Sequence, residues 1–146
     1  MRNCLYLLTI FVSSVYASDE AQIKSKIEAK SESYTAQKVY VDYQNFNISG
    51  GWALAYGELL SKDKGPLNWS AINQCDPNLD KGLWAVLRKS KGEWEIIEYY
   101  ACSTEPPYWY IDLNINTWPC GIFKDLQIGK DLTLEQKCLS KRDGNA

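Results

Sequence analysis

The fold is decided by the stretch Trp52-Ala-Leu-Ala-Tyr-Gly-Glu-Leu-Leu60, in which large and small side chains alternate. A period of two is typical of a β-strand whose two faces meet different neighbours. The bulky face comprises Trp52, Leu54 and Tyr56, and the small face comprises Ala53, Ala55 and Gly57. Small side chains allow close approach of another element, so the pattern predicts a central strand with a helix on its small face.

Upstream of this strand lies a polar segment, residues 18–36, rich in Lys, Glu, Ser and Ala. Its few apolar residues recur at helical spacing, at Ile23, Ile27 and Tyr34. They predict an N-terminal amphipathic helix that is held by docking on the sheet rather than by its own propensity. After the helix the period becomes two, and its phase slips at Gln44-Asn45, which indicates a bulge or a break between two strands.

Downstream, residues 83–87 and 94–100 predict two strands joined by a tight hairpin at Ser90-Lys91-Gly92-Glu93. Residues 108–113 predict a short edge strand, and the tail after Lys124 is expected to be weakly ordered unless a disulfide anchors it. The chain is therefore predicted to be α+β. Its N-terminal helix packs on an antiparallel meander sheet of about four to five strands, and a disulfide-tied C-terminal extension follows.

Residues 1–17 have the three parts of a secretory signal peptide. Arg2 supplies the positive start, residues 4–12 form an almost unbroken apolar run, and Ala17 is a small residue suited to cleavage after it. The run is too short to cross a hydrocarbon core about 30 Å thick, so no membrane span is expected after cleavage. Residues 18–146 are predicted to form a single mature domain in the periplasm or outside the cell.

Four cysteines remain in the predicted mature chain: Cys75, Cys102, Cys120 and Cys138. An even number in an exported chain predicts two disulfides, for which three connectivities are open. The nearest-neighbour pairing, Cys75–Cys102 with Cys120–Cys138, is favoured over the other two. The chain has no histidine and no Cys-x-x-Cys pair, so neither a zinc site nor any other metal or cofactor is predicted.

Composition argues against several classes of function. The chain of 146 residues carries 16 basic and 18 acidic side chains, and its isoelectric point near 5.2 disfavours nucleic acid as a partner, since phosphate binding needs a basic surface. The lack of histidine removes Ser-His-Asp and Cys-His nucleophile systems. The loop Asp76-Pro-Asn-Leu-Asp-Lys-Gly82 spaces oxygen side chains as a calcium site would, but Lys81 stands where the turn glycine belongs, which favours a plain turn.

Carboxylates near the aromatic strands are the candidates for catalysis, since a pair at glycosidase separation could act on a sugar. Alternation places Glu95 and Glu98 on opposite faces of one strand, so they are not expected to form such a pair. Glu58 with Glu98 or Asp112 stays open, and the alternative is that all of these are ordinary surface groups. The chain is expected not to be an enzyme.

The most unusual feature is a set of aromatic residues around Pro106-Pro107. Tyr108, Trp109 and Tyr110 lie in this proline-broken segment and are the predicted contact residues. Tyrosine and tryptophan anchor protein interfaces, and their flat rings also stack on sugars. The alternative is that these rings fill the core or cover an edge of the sheet.

The chain has a pattern of strand, hairpin and strand with tryptophan at strand starts. It is carried by Val39-Tyr-Val41, Gly51-Trp-Ala-Leu-Ala-Tyr-Gly-Glu58, Leu83-Trp-Ala-Val-Leu-Arg-Lys89 with Gly92-Glu-Trp-Glu-Ile-Ile97, and Pro119-Cys-Gly-Ile-Phe123. In this pattern residues 39–123 resemble a loose group of small exported bacterial proteins of unknown function. The resemblance implies a bacterial exported domain and no particular activity. In such a host the N-glycosylation patterns at Asn47 and Asn68 are interpreted as coincidental.

Together these observations favour an exported, non-catalytic protein-binding domain, such as an inhibitor or immunity factor against a cell-wall hydrolase or toxin. Loss of Arg2 with the signal peptide leaves 15 basic against 18 acidic side chains, and an acidic surface steers association with a basic protein. The expected partner is another envelope or secreted protein. The alternatives are a carbohydrate- or peptidoglycan-binding module and a carboxylate-dependent hydrolase.

Overall fold

The computed structural model describes residues 17–63, 65–72, 75, 82–103, 117–128 and 132–144. Its helices and strands are α1 (Asp19–Thr35), β1 (Val39–Ser49), β2 (Trp52–Ser61), β3 (Gly82–Ser90), β4 (Glu93–Ser103), β5 (Gln127–Ile128), β6 (Leu132–Thr133) and α2 (Leu134–Arg142), with short 3-10 helices at Trp69–Ala71 and Cys120–Phe123. Strands β1 to β4 form one antiparallel sheet in sequential order, and β5 pairs with β6. The predicted α+β class, N-terminal helix and antiparallel meander are confirmed. The strand predicted at residues 108–113 lies outside the described residues.

Both hairpins of the main sheet close through two-residue turns in the left-handed region. Gly50 and Gly51 have φ values of 56° and 75°, and Lys91 and Gly92 have φ values of 51° and 88°. Two successive positive φ values are what a type I′ turn requires, and the twist of that turn matches the twist of the flanking strands. Glycine adopts this conformation without a Cβ clash at Gly50, Gly51 and Gly92, and Lys91 is the one residue of the two turns that adopts it with a side chain.

A bulge at Gln44 explains the change of phase in β1. The register with β2 shifts between Tyr43 and Asn45, which leaves Gln44 without a partner while the strand continues. At Gly57, which faces this bulge, a Cβ atom would lie 2.2 Å from the carbonyl oxygen of Asp42. Gly57 is therefore required by the backbone of β1 and not, as predicted, by the helix.

The sheet face beneath α1, termed the helix face, carries one of two core clusters. Ser18 caps α1 by accepting a hydrogen bond from the backbone of Ala21, and Ile23 and Ile27 are fully buried against the sheet. The other buried members of this cluster are Val39, Val41, Ala53, Ala55, Leu59, Leu67, Trp69, Ile72, Leu83, Ala85, Leu87 and Trp94. Ala53 and Ala55 of β2 belong to the same cluster as Ile23 and Ile27, while the backbone of α1 approaches β4 and β1 most.

The opposite sheet face, termed the tail face, is covered by the C-terminal segment. Its buried cluster comprises Leu54, Trp84, Val86, Trp118, Cys120, Ile122, Phe123, Leu126, Leu134 and Cys138. Cys120 and Cys138 are bonded, with Cα atoms 5.5 Å apart, and Cys75 and Cys102 are bonded, with Cα atoms 5.6 Å apart. The favoured nearest-neighbour pairing and the disulfide-tied extension are thus confirmed.

Helix α2 was not predicted in the tail after Lys124. The backbone of Gln136 donates to the Thr133 hydroxyl, and the backbone of Thr133 donates to the Gln136 side chain, which together form a capping box. Arg142 at the other end of α2 donates to the carbonyl oxygen of Trp118. These bonds and the Cys120–Cys138 bridge order the tail against the sheet.

Candidate binding surface on strand β4

Strand β4 forms one edge of the main sheet, and no other strand in the described part of the chain pairs with its outer side. The C-terminal segment covers the part of the tail face that lies next to β1, at the opposite edge of the sheet. There Asn45 and Asn47 donate from their side chains to the Lys124 carbonyl oxygen at 3.0 and 2.7 Å. On β4 itself, Glu95, Ile97 and Tyr100 are exposed. Strand β4 is therefore an edge strand with accessible side chains.

A second bulge, at Ile97, decides which side chains of β4 share a face. Glu98 pairs with Val86 and Ile96 with Leu87, so Ile97 is an extra residue without a partner on β3. Glu95 pairs with Arg88, two positions from Val86, and therefore lies on the same tail face as Glu98. The prediction that Glu95 and Glu98 lie on opposite faces is wrong, because the bulge resets the alternation between them.

The β4 surface is defined here by Glu93, Glu95, Ile97, Glu98 and Tyr100. None of the ion pairs among the described residues involves its three glutamates. Arg88, which stands opposite Glu95, lies 5.7 Å over the ring of Trp52. The surface thus combines three carboxylates that lack a described counter-ion with two large side chains, Ile97 and Tyr100, each 39 % exposed.

Tyr100 and Glu98 are linked within this surface. The Tyr100 hydroxyl donates to Glu98 Oε2 at 3.3 Å. Burial and the neighbouring Glu98 raise the pKa of Tyr100 above its usual value of 10.0. The phenol therefore stays protonated at neutral pH and acts as a hydrogen-bond donor.

The candidate carboxylates Glu58 and Glu98 lie well apart on the sheet. Glu58 pairs with Gly82 and Glu98 with Val86, so the two glutamates lie two strands and four positions apart. Strand spacing and rise place their Cα atoms roughly 16 Å apart. Glu95 and Glu98 are closer together on β4, and a catalytic role for any of these carboxylates stays a prediction.

A shallow depression of about 450 Å³ lies at the end of α1, lined by Ala29, Glu32, Ser33, Ala36, Gln37 and Lys38. Glu32 pairs with Lys38 at 2.9 Å and with Lys62 at 3.1 Å, and Lys62 also reaches Glu28 at 3.4 Å. The hydrogen bonds from Lys38 and Lys62 lower the pKa of Glu32 to about 2. This ionised carboxylate ties α1 to the start of β1 and the end of β2 and is not suited to donate a proton.

The side chain of Asn47 is occupied by the fold. Its Nδ2 atom lies within hydrogen-bond distance of Asn45 Oδ1 (2.9 Å), the Lys124 carbonyl oxygen (2.7 Å) and the Ile122 carbonyl oxygen (3.3 Å). These contacts hold the C-terminal segment on β1. Asn68, the other residue in a glycosylation pattern, is exposed and exchanges backbone hydrogen bonds with the side chain of Gln37.

Several residues singled out in the sequence lie outside the described residues. They are the predicted contact residues Tyr108, Trp109 and Tyr110, the candidate carboxylate Asp112, residues 76–81 of the calcium-like loop, and residues 1–16 of the predicted signal peptide. The proposed roles of these residues stay predictions. Sequence reasoning missed the shared face of Glu95 and Glu98, although the adjacent apolar residues Ile96 and Ile97 already interrupt the alternation of β4.

Comparison of the chain with protein families, curated proteins and solved structures finds no match. The resemblance to small exported bacterial proteins therefore stays a prediction. Within the described ranges, no helix is both long and apolar enough to cross a bilayer. The two bonded cysteine pairs fit an oxidising compartment.

Proposed function

We propose that the chain is an exported, non-catalytic protein-binding domain that acts in the periplasm or outside the cell. The observation that carries the proposal is the β4 surface, with its three glutamates, exposed Ile97 and Tyr100, and position on an edge of the sheet. Protein–protein interfaces combine aromatic or aliphatic side chains at their centre with polar side chains at their rim. The two disulfides support export, because such bridges persist in oxidising compartments.

The partner that fits this surface is an envelope or secreted protein with a basic face. Carboxylates without a described counter-ion attract cations over a Debye length of about 8–10 Å and raise the rate of encounter. Ile97 and Tyr100 then supply apolar area that is buried on contact. An inhibitor or immunity factor against a cationic cell-wall hydrolase or toxin would use this chemistry.

The test is capture of envelope and secreted proteins of the source organism on the immobilised mature protein at low salt. We expect one stoichiometric partner, and we expect the double variant E95K/E98K to lose it, because both substitutions replace attraction with repulsion. The control D42K/D63K changes the net charge equally at exposed positions on β1 and after β2. Recovery of no protein, or equal retention by both variants, would count against the proposal.

A further inference from the structure

The two disulfides lie in different surroundings. Cys120 and Cys138 are 5 % and 0 % exposed and belong to the tail-face cluster, whereas Cys75 and Cys102 are both half-buried. Thiol–disulfide exchange requires an external thiolate to reach one of the two sulfur atoms, so access decides which bridge reacts. Cys75–Cys102 is the more accessible of the two bridges.

A hydroxyl group lies beside one sulfur of this bridge. The Tyr34 oxygen is 4.0 Å from Cys75 Sγ, and the Tyr34 ring packs edge-on against Tyr99 with centroids 5.8 Å apart. Tyr99 is fixed in turn, because its hydroxyl donates to Ser31 Oγ at 2.9 Å. A hydroxyl held in this way can donate to a thiolate on Cys75, and a hydrogen bond to the charged form favours that form.

The two cysteines lie on separate parts of the chain. Cys102 lies near the end of β4, where the register with β3 shifts and its own φ value is 65°. Cys75 follows the 3-10 helix at Trp69–Ala71. Opening the bridge would therefore separate Cys75 from β4.

We propose that Cys75–Cys102 is a thiol–disulfide exchange site at which a dithiol reductant attacks Cys102 and Cys75 leaves. The attacking thiolate forms a bond to Cys102 Sγ while the Cys75–Cys102 bond breaks, and Cys75 keeps the electron pair next to Tyr34. The second thiolate of the reductant then displaces Cys102 and closes its own disulfide. The reductant loses two electrons and two protons, and the two cysteines gain them as thiols. Cys120–Cys138 stays closed.

The fold persists when the Cys75–Cys102 bridge opens. This bridge is therefore a redox-sensitive site and not only a structural cross-link. Ile23 and Ile27 hold α1 on the helix face, and the tail face has its own cluster and its own bridge. The change is therefore expected around Cys75 and at the end of β4. The inference does not depend on the proposed binding function, because the chemistry is measured without a partner.

The test follows reduction of the full mature protein by dithiothreitol under native conditions, with alkylation at intervals and peptide mapping by mass spectrometry. We expect Cys75–Cys102 to open at least about tenfold faster than Cys120–Cys138, because exchange depends on access. With glutathione as the thiol, the trapped mixed disulfide is expected on Cys102, with Cys75 free.

Tyr34→Phe isolates the contribution of the hydroxyl, because it keeps the ring that packs on Tyr99. We expect it to slow the opening of Cys75–Cys102 about threefold or more, since a less stabilised thiolate leaves more slowly, and to leave the buried bridge unchanged. Tyr40→Phe, at an exposed position on β1 at the opposite edge of the sheet, is the control and is expected to open at the wild-type rate. Equal rates for the two bridges, a mixed disulfide on Cys75, or a wild-type rate in Tyr34→Phe would overturn the proposal.

Discussion

At the scale of single residues, the docking of the C-terminal segment depends on Asn47. Asn47→Ala removes the amide that reaches Asn45 and the carbonyl oxygens of Ile122 and Lys124, and it leaves these acceptors without that donor. We expect a loss of about 1–3 kcal/mol in the free energy of unfolding, measured by urea denaturation. Gln44→Ala, at the exposed bulge position of the same strand, is the control and is expected to change stability by less than about 0.5 kcal/mol. Equal effects of the two variants would contradict this role.

Asp19 links the start of α1 to the β3–β4 hairpin. Its Oδ1 atom accepts from Lys89 Nζ at 2.7 Å and from Trp94 Nε1 at 3.0 Å. These hydrogen bonds, that from Lys89 first, lower the pKa of Asp19 below 3.8. Because the folded-state pKa lies below the unfolded one, ionised Asp19 contributes stability above the unfolded value, and this contribution is lost as the pH falls through the folded value.

The hydrogen bond from Trp94 Nε1 to Asp19 predicts that the indole N–H of Trp94 reports the protonation of Asp19. We expect the indole N–H resonance of Trp94 to shift in acid with a midpoint below 3.8, the usual value for aspartate. In Asp19→Asn this transition is expected to disappear, since no carboxylate remains to be protonated. A midpoint at or above 3.8, or an unchanged transition in the variant, would show that Asp19 does not hold the indole in solution.

At the scale of elements, the bulge in β4 shows where sequence alternation fails. Trp94 and Tyr99 both pack on the helix face although they are an odd number of positions apart, and only an extra residue between them allows this. The doublet Ile96-Ile97 marks the irregularity, but the sequence does not say which residue is extra. That choice depends on the contact of Tyr99 with Ser31 of α1, which is a tertiary contact.

Deletion of Ile97 tests the bulge directly. Without the extra residue, regular alternation still places Ile96 and Tyr99 on the helix face and Glu98 on the tail face, so the deletion removes the bulge and no buried contact. We expect a loss of less than about 1 kcal/mol in unfolding free energy. The substitution Ile97→Ser keeps the chain length at an exposed position and is expected to be nearly neutral. A loss of about 3 kcal/mol or more in the deletion, with a mild effect of the substitution, would show that Ile97 is not the extra residue of β4.

The C-terminal extension depends on the Cys120–Cys138 bridge. This bridge closes a sequence separation of 18 residues around the turn and α2, and replacing both cysteines by alanine is expected to cost about 2–4 kcal/mol. Hydrogen exchange is expected to show loss of protection in α2 while α1 and β2 stay protected. The matched variant, with Cys75 and Cys102 replaced by alanine, is expected to keep the protection of α2. Loss of protection in α2 in both variants would contradict this assignment.

At the scale of the whole molecule, the sequence predicts the elements that have a strong local signal. The alternation of β2 and the two glycine turns specify the meander, and Ile23 and Ile27 specify the docked helix. Helix α2 was missed because only Leu134 and Cys138 of its residues are buried, so it has almost no apolar period, and its capping box is a weak signal alone. The β4 surface was missed because it depends on register.

The predicted cleavage site directly precedes the residue that caps α1. Cleavage after Ala17 would leave Ser18, which caps α1, as the first residue of the mature chain. The predicted cleavage thus removes nothing that the described fold uses except the contact of Gln22 Nε2 with the Ala17 carbonyl oxygen at 2.8 Å. Export and the folded domain are therefore compatible at this boundary.

The most direct test is a non-reducing peptide map, with N-terminal mass determination, of the protein isolated from its source organism. We expect a chain that begins at Ser18 and carries the two bridges Cys75–Cys102 and Cys120–Cys138. A chain that begins at Met1 with its cysteines as free thiols, or one with crossed bridges, would contradict the claim that this is an exported, oxidised domain.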